Sequence, residues 1–144
     1  MDPCIFCSIA QKTSECSLVF EDERFIAFLP LTPVNPGHTL LMPKTHFEDI
    51  FRTPPVEVLG MLKVAAKIAS AIEMTVQPIR VGVVAMGLDV QHTHFHLVPL
   101  YSRLDITSKA EVEGRLVKHS RDELDKMAAS LRAAINSSTI ESKD

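Results

Sequence analysis

The sequence lacks several features that mark particular classes of protein. Its 144 residues contain no low-complexity tract and no apolar run long enough to span a membrane. Its net charge is −3 and it has no cluster of basic residues, which argues against a nucleic-acid or anionic-membrane surface but leaves small phosphorylated ligands open. Its first residues lack the charged and apolar regions of a signal peptide. We therefore expect a cytoplasmic protein with neither a nucleic acid nor a membrane as its partner.

Cysteine is also scarce, with only Cys4, Cys7 and Cys16 in the chain. In a reducing compartment these three are poor candidates for disulfides. The Cys4-x-x-Cys7 spacing is typical of a metal knuckle or a redox pair, although no strand precedes it as the redox motif requires. A zinc knuckle would need two further ligands elsewhere, and a chance pair without a role is the alternative. Cys16 is interpreted as a small apolar residue.

Histidine, in contrast, is concentrated at one place. Three of the six histidines, His92, His94 and His96, alternate within five residues. Because successive side chains of a strand point to opposite faces, these three would share one face if the segment is extended. The intervening Thr93 and Phe95 are good strand formers. Three imidazoles on one face indicate a metal site or acid–base and nucleophilic chemistry, and a chance surface cluster is the alternative.

Length and composition, with 46% hydrophobic residues, predict one domain over residues 1–136 and a flexible polar tail at 137–144. Apolar residues recur at helical spacing over 55–76, after Thr53 as the predicted N-cap and Pro54 at the first helical position. Short apolar runs bounded by turn residues predict strands. The predicted strands are 18–20, 25–29, 38–42, 80–86 and 92–98.

Two further segments have the capping-box spacing, at 108–111 and 120–123. The second predicts a carboxy-terminal helix that continues through Ile135. Strands followed by a helix, further strands and another helix predict the α+β class with a largely antiparallel sheet.

The chain resembles the histidine-triad (HIT) superfamily, whose motif is His-x-His-x-His followed by two apolar residues. Residues 92–98 match that motif in full. The segments 35–40 and 43–46 resemble the family's glycine–histidine strand and its following Pro-Lys-x-His. The pair Cys4 and Cys7 resembles the opening of the metal-binding members. The resemblance covers about residues 4–100, and the last forty residues fit no family pattern.

This resemblance implies a homodimer in which each subunit has a five-stranded antiparallel sheet, with helix 55–76 near the partner. It also implies a hydrolase or transferase that cleaves a phosphoramidate or phosphoanhydride bond on a nucleoside monophosphate. His94 would attack phosphorus and form a nucleotidyl-histidine. His96 would donate to the leaving group or a phosphate oxygen, and His38 would help orient the site unless it merely fills a turn. Gly87, Asp89 and His92 are expected to contact the nucleotide.

The resemblance further implies a zinc ion held by Cys4, Cys7, His46 and His92. A closed set of two cysteines and two histidines favours one structural zinc ion per chain over a catalytic one.

Two positions depart from the family pattern. Pro30 stands where many members have an acidic residue that binds the ribose hydroxyls. Asp89 stands where many have a hydroxyl residue close to the phosphate, and a carboxylate there repels a phosphate unless it is protonated or bridged by a metal. Either ribose and phosphate are held differently, or the substrate is not an ordinary nucleotide.

Three functions therefore stay open on the sequence. The first is a nucleotidyl hydrolase or transferase that works through His94. The second is a non-catalytic, zinc-stabilised dimeric interaction module. The third is a catalytic metal site made by the three histidines of the triad themselves.

Overall fold

A computed structural model describes residues 4–106 and 116–138. The helices are α1 (Ile5–Ala10), α2 (Pro55–Val76) and α3 (Arg121–Ser138), with a 3-10 helix at Ile50–Arg52. The strands are β1 (Ser17–Glu21), β2 (Phe25–Leu29), β3 (Thr39–Pro43), β4 (Arg80–Val84) and β5 (Phe95–Leu100). They form one antiparallel sheet in the order β1-β2-β3-β5-β4, which confirms the predicted α+β fold with five strands. Within the described residues, no helix is long and apolar enough to cross a membrane.

The sheet is covered on both faces, because its central strands are apolar on both sides. Every residue of β2 and β3 is buried. One face packs against α2 and α3 through residues such as Ala27 and Leu41. The other face packs against α1, where Phe6 and Ile9 contact Ile26, Phe28, Leu40 and Met42. In β5 the same alternation turns Phe95 and Leu97 towards the long helices, and therefore leaves His96 on the α1 face.

Helix α2 has the predicted bounds, but its N-cap differs from the prediction. Pro54 occupies the cap without a side-chain hydrogen bond, and Pro55 is the first helical residue. The Thr53 hydroxyl is engaged elsewhere: its Oγ1 lies 2.7 Å from the Asp49 carbonyl oxygen and 2.7 Å from the Thr93 hydroxyl. Thr53 therefore ties the start of the helix to the histidine segment instead of capping it.

The carboxy-terminal helix is confirmed, and its hydroxyl cap is as predicted. The Ser120 Oγ accepts a hydrogen bond from the Glu123 N–H at 3.2 Å. Helix α3 ends at Ser138, two residues past the predicted domain end at 136. The predicted tail beyond 138 and the capping box at 108–111 lie outside the described residues.

The strand predicted over 92–98 begins three residues later, at Phe95, and continues two residues further, to Leu100. The segment before it leaves the sheet: the Thr93 N–H donates to the Phe47 carbonyl oxygen at 2.8 Å, in the loop after β3. His92 and His94 therefore lie just before the strand. Strand β4 likewise ends at Val84 and not at residue 86, and β3 begins one residue after His38.

Candidate active site and metal centre

A cluster of two cysteines and two histidines joins three separate parts of the fold. Cys4 is the N-cap of α1 and Cys7 lies in its first turn, while His46 follows β3 and His92 precedes β5. Their ligand atoms all lie within 4.8 Å of one another. The Nδ1 of His92 is 3.5 Å from Cys4 Sγ, 3.6 Å from Cys7 Sγ and 3.2 Å from His46 Nδ1. The Sγ of Cys7 also lies 3.3 Å from the Nδ1 of His46.

These separations fit a tetrahedral metal ion. Zinc bonds of about 2.3 Å to sulfur and about 2.0–2.1 Å to nitrogen place sulfur and nitrogen about 3.5 Å apart, and two nitrogens about 3.3 Å apart. The His92 tautomer fits as well, because its Nε2–H donates to the Pro43 carbonyl oxygen at 2.8 Å and leaves the Nδ1 lone pair towards the cluster. Burial, followed by the neighbouring Cys4, raises the pKa of the Cys7 thiol. A bound cation would offset that cost by stabilising the thiolates.

The same residue, His92, holds His94 in place. The Nδ1–H of His94 donates to the backbone carbonyl oxygen of His92 at 2.6 Å. Since that nitrogen carries the proton, the Nε2 of neutral His94 has a free lone pair. Phe6 packs edge-on against the ring, with centroids 4.9 Å apart. Burial lowers the pKa of His94, so the neutral, nucleophilic form predominates near pH 7.

A second chain of hydrogen bonds fixes the other two histidines. The Val34 N–H donates to His38 Nδ1 at 3.0 Å, so the proton of neutral His38 is on Nε2. That Nε2–H donates to His96 Nδ1 at 3.0 Å, which places the proton of His96 on its own Nε2. Burial is the main reason that the pKa falls to about 3 for His38 and about 4 for His96. Both rings are therefore neutral near pH 7, and His96 presents an N–H donor.

The turn before β3 positions His38 at the start of this chain. Gly37 has a φ of +98°, which is accessible to glycine and strained for other residues. The turn is closed by the His38 N–H, which donates to the Asn35 carbonyl oxygen at 3.0 Å. The Asn35 side-chain amide donates to the Pro99 carbonyl oxygen at 2.9 Å and ties the turn to β5.

His94 and His96 line one cavity of about 430 Å³. Their ring centroids are 4.9 Å apart. The cavity is bounded by α1, the loop after β2 and the loop between β4 and β5. Its lining residues are Phe6, Pro30, Thr32, Val34, Leu40, 86–90, His94, His96 and Leu116. Its walls are therefore largely apolar, with two imidazoles and one carboxylate, that of Asp89.

Residues 11–103 match the model of the HIT domain. The chain belongs to the HIT family.

Similar proteins include a zinc-bound member and a proposed nucleotide-binding member of this family. A zinc-bound histidine triad family protein from Mycobacterium smegmatis superposes with a TM-score of 0.78 and 29% identity over 96% of both chains. A hypothetical histidine triad nucleotide-binding protein from Sulfolobus tokodaii has a TM-score of 0.84 and 25% identity, covering 98% of this chain and 97% of that one. The adenylylsulfatase HINT3 of Arabidopsis thaliana is 31% identical over 105 residues, which are 69% of this chain and 53% of HINT3.

This HIT protein brings most of the predicted site residues together. The four predicted metal ligands form the cluster, and His38, His94 and His96 are joined through ring contacts. Gly87 and Asp89 line the cavity, and Gly87 has a φ of +67°. His92, which is also predicted to contact the nucleotide, is fully buried in the Cys/His cluster and is not among the residues that line this cavity, so its contact with the nucleotide stays a prediction.

The sequence prediction did not identify several of the groups that position the histidines of this HIT protein. The Pro43 carbonyl, the His92 carbonyl and the Val34 N–H set the tautomers, and a backbone group leaves no signal in the residue type. Helix α1, which supplies both cysteines and the Phe6 wall, was also not predicted. Its six residues are too few to show helical periodicity, so only the Cys-x-x-Cys spacing could have indicated it.

Proposed function

We propose that this protein is a nucleotidyl hydrolase or transferase, which cleaves a phosphoramidate or phosphoanhydride bond on a nucleoside monophosphate. The observation that carries the proposal is the pair of fixed tautomers: a bare Nε2 on His94 beside an N–H donor on His96, in one cavity. A nucleotide-binding structural neighbour and an adenylylsulfatase relative support a nucleotide as the substrate.

In this mechanism the Nε2 of His94 attacks phosphorus and forms a P–N bond as the bond to the leaving group breaks. The leaving nitrogen or oxygen takes up a proton from solvent, and the Nε2–H of His96 stabilises it or a phosphoryl oxygen by donating a hydrogen bond. Water then attacks phosphorus as the bond to His94 breaks. The attacking water releases a proton to solvent, which replaces the proton taken up by the leaving group. The net reaction adds one water molecule across the P–N or P–O bond.

The charge that develops on His94 during attack has a partner already in place. Its Nδ1–H donates to the His92 carbonyl oxygen, and that bond strengthens as the ring becomes positive. His92 is in turn oriented by its bond to Pro43 and by the Cys/His cluster. A zinc ion held by Cys4, Cys7, His46 and His92 would supply structural rigidity there and no reacting group.

We also propose that the protein is a cytoplasmic homodimer. Helix α2 leaves the apolar side chains of Val56, Leu59 and Leu62 exposed by 63%, 59% and 47%, and the edge strand β4 exposes Val83 by 53%. Such a surface on the helix and the adjoining edge strand favours association with a second copy.

The alternative of a catalytic metal held by the triad itself has less support. Within the described part of the chain, the grouping of metal-binding side chains takes His92 with Cys4, Cys7 and His46, and includes neither His94 nor His96. The alternative of a non-catalytic interaction module predicts neither an adduct nor turnover, which the following experiment tests.

The decisive experiment is intact-protein mass spectrometry after brief mixing with an adenosine phosphoramidate. We expect a transient adduct of one nucleotide mass on the wild type, no adduct on His94→Ala, and slower formation and turnover on His96→Ala. His119→Ala is the matched control, because His119 lies outside this cavity. An adduct that persists in His94→Ala would refute the mechanism, and a folded, zinc-loaded wild type without adduct or turnover would favour the interaction module.

A further inference from the structure

Among the described residues that line the cavity of His94 and His96, Asp89 has the one carboxylate. It lines the cavity together with His94 and His96 and interacts electrostatically with both rings. It is exposed, so its carboxylate lies at the solvent side of the cavity. Among the described residues that line this cavity there is no lysine or arginine.

The His96 ring does not compensate for this negative charge near pH 7. His96 has a pKa of about 4, and its Nδ1 is occupied by the hydrogen bond from His38. A substrate phosphate would therefore add a second negative charge to a cavity that already contains one. Like charges in a partly desolvated cavity repel each other, so a substrate that also carries a positive charge binds better than one that does not.

Only one part of a nucleotidyl substrate can carry that positive charge. The base and the ribose are neutral near pH 7, and the phosphoryl group is anionic. The remaining part is the leaving group beyond phosphorus. A leaving group made of further phosphates would increase the repulsion, whereas an amine with a second, protonated amino group would relieve it.

We propose that Asp89 is a specificity-determining residue that selects nucleoside phosphoramidates whose leaving amine carries a separate ammonium group. This inference rests on the proposed function and deepens it by naming the substrate class. The proposal adds no covalent step, because the Asp89 carboxylate attracts the ammonium group of the leaving amine through charge alone. It also accounts for the presence of a carboxylate where a phosphate must approach.

The test compares two adenosine 5′-phosphoramidates of equal length, one of 1,5-diaminopentane and one of n-pentylamine. We expect the wild type to prefer the first in kcat/KM by about tenfold, with the preference reduced at high ionic strength. Asp89→Asn should abolish the preference, mainly by losing activity on the cationic compound. Glu23→Gln removes one carboxylate from the exposed turn between β1 and β2 and should retain the preference.

Equal kcat/KM values for the two compounds in the wild type, or a preference that survives in Asp89→Asn, would overturn the inference while leaving the proposed function intact. An equal loss on both compounds in Asp89→Asn would overturn it too, and a loss that vanishes with 2′-deoxyadenosine analogues would assign Asp89 to the ribose.

A binding measurement decides the inference even without turnover. Dissociation constants are measured by calorimetry on His94→Ala, with and without Asp89→Asn. A tighter Kd for the cationic compound that is lost in the double variant supports the role of Asp89, and equal Kd values refute it. If the wild type cleaves neither compound, the proposed hydrolase function fails separately.

Discussion

At the scale of single residues, the chemistry depends on which nitrogen of each histidine carries the proton. Backbone groups decide this: the carbonyl oxygens of Pro43 and His92 and the N–H of Val34. The spacing of His94 and His96 predicted that the rings act together. It could not predict their tautomers, because these depend on where the backbone of distant segments ends up.

The buried His38 should make the protein less stable in acid. Its pKa falls from an ordinary value near 6.5 to about 3 on folding, because burial penalises the charged ring. The unfolded chain therefore binds the proton more strongly, so this contribution to stability is complete above pH 6.5 and is lost as the pH falls towards 3. We expect His38 to account for about 1 kcal/mol of lost unfolding free energy between pH 6 and pH 5.

Urea unfolding of the wild type and His38→Asn at both pH values measures this effect. The wild type and the variant each lose unfolding free energy between pH 6 and pH 5. The difference between these two losses is the contribution of His38, since the other titrating groups are common to both proteins. An identical loss in the variant would show that His38 is not held neutral by the fold.

At the scale of elements, the success of the sequence prediction followed the length of each pattern. Twenty-two residues of helical spacing defined α2, whereas the six residues of α1 showed no period. The strand predicted over 92–98 began late because a long-range bond from Thr93 to Phe47 draws its first residues out of the sheet. Such bonds depend on tertiary contacts, which local propensity does not report.

Metal removal should loosen α1 in particular. Cys4 and Cys7 attach this short helix to the histidine segment, and its remaining anchors are Phe6 and Ile9 in the smaller core. Free zinc at a thousand times its Kd would stabilise the fold by about 4 kcal/mol, and a chelator or Cys7→Ser should remove that contribution. Hydrogen exchange at residues 5–10 should accelerate, and kcat should fall because the His92 carbonyl is no longer held against His94.

Cys16→Ser is the matched control, since Cys16 lies outside the Cys/His cluster. Bound zinc is measured by mass spectrometry, stability by thermal unfolding and α1 by exchange. A chelated wild type with unchanged thermal stability and unchanged protection of α1 would show that the metal has no structural role.

At the scale of the whole molecule, the described residues cover both faces of the sheet but leave one apolar side of α2 exposed. Residues Met61, Val64 and Ile68 of this helix are buried against the sheet and α3. On the opposite side, the apolar side chains of Val56, Leu59 and Leu62 are about half exposed or more. Helix α2 therefore has two apolar sides, and the fold of a single chain buries only one of them.

A charge on the exposed apolar side of α2 should dissociate the proposed homodimer. Leu59→Glu places a carboxylate at the centre of the exposed apolar side of α2, where burial against a second copy would strip it of water. We expect the wild type to sediment as a dimer and Leu59→Glu as a folded monomer. Ala129→Glu adds the same charge to an exposed position of α3 and should remain dimeric. A wild type that is monomeric at all concentrations, or a Leu59→Glu variant that stays dimeric, would exclude this face of α2 as the interface.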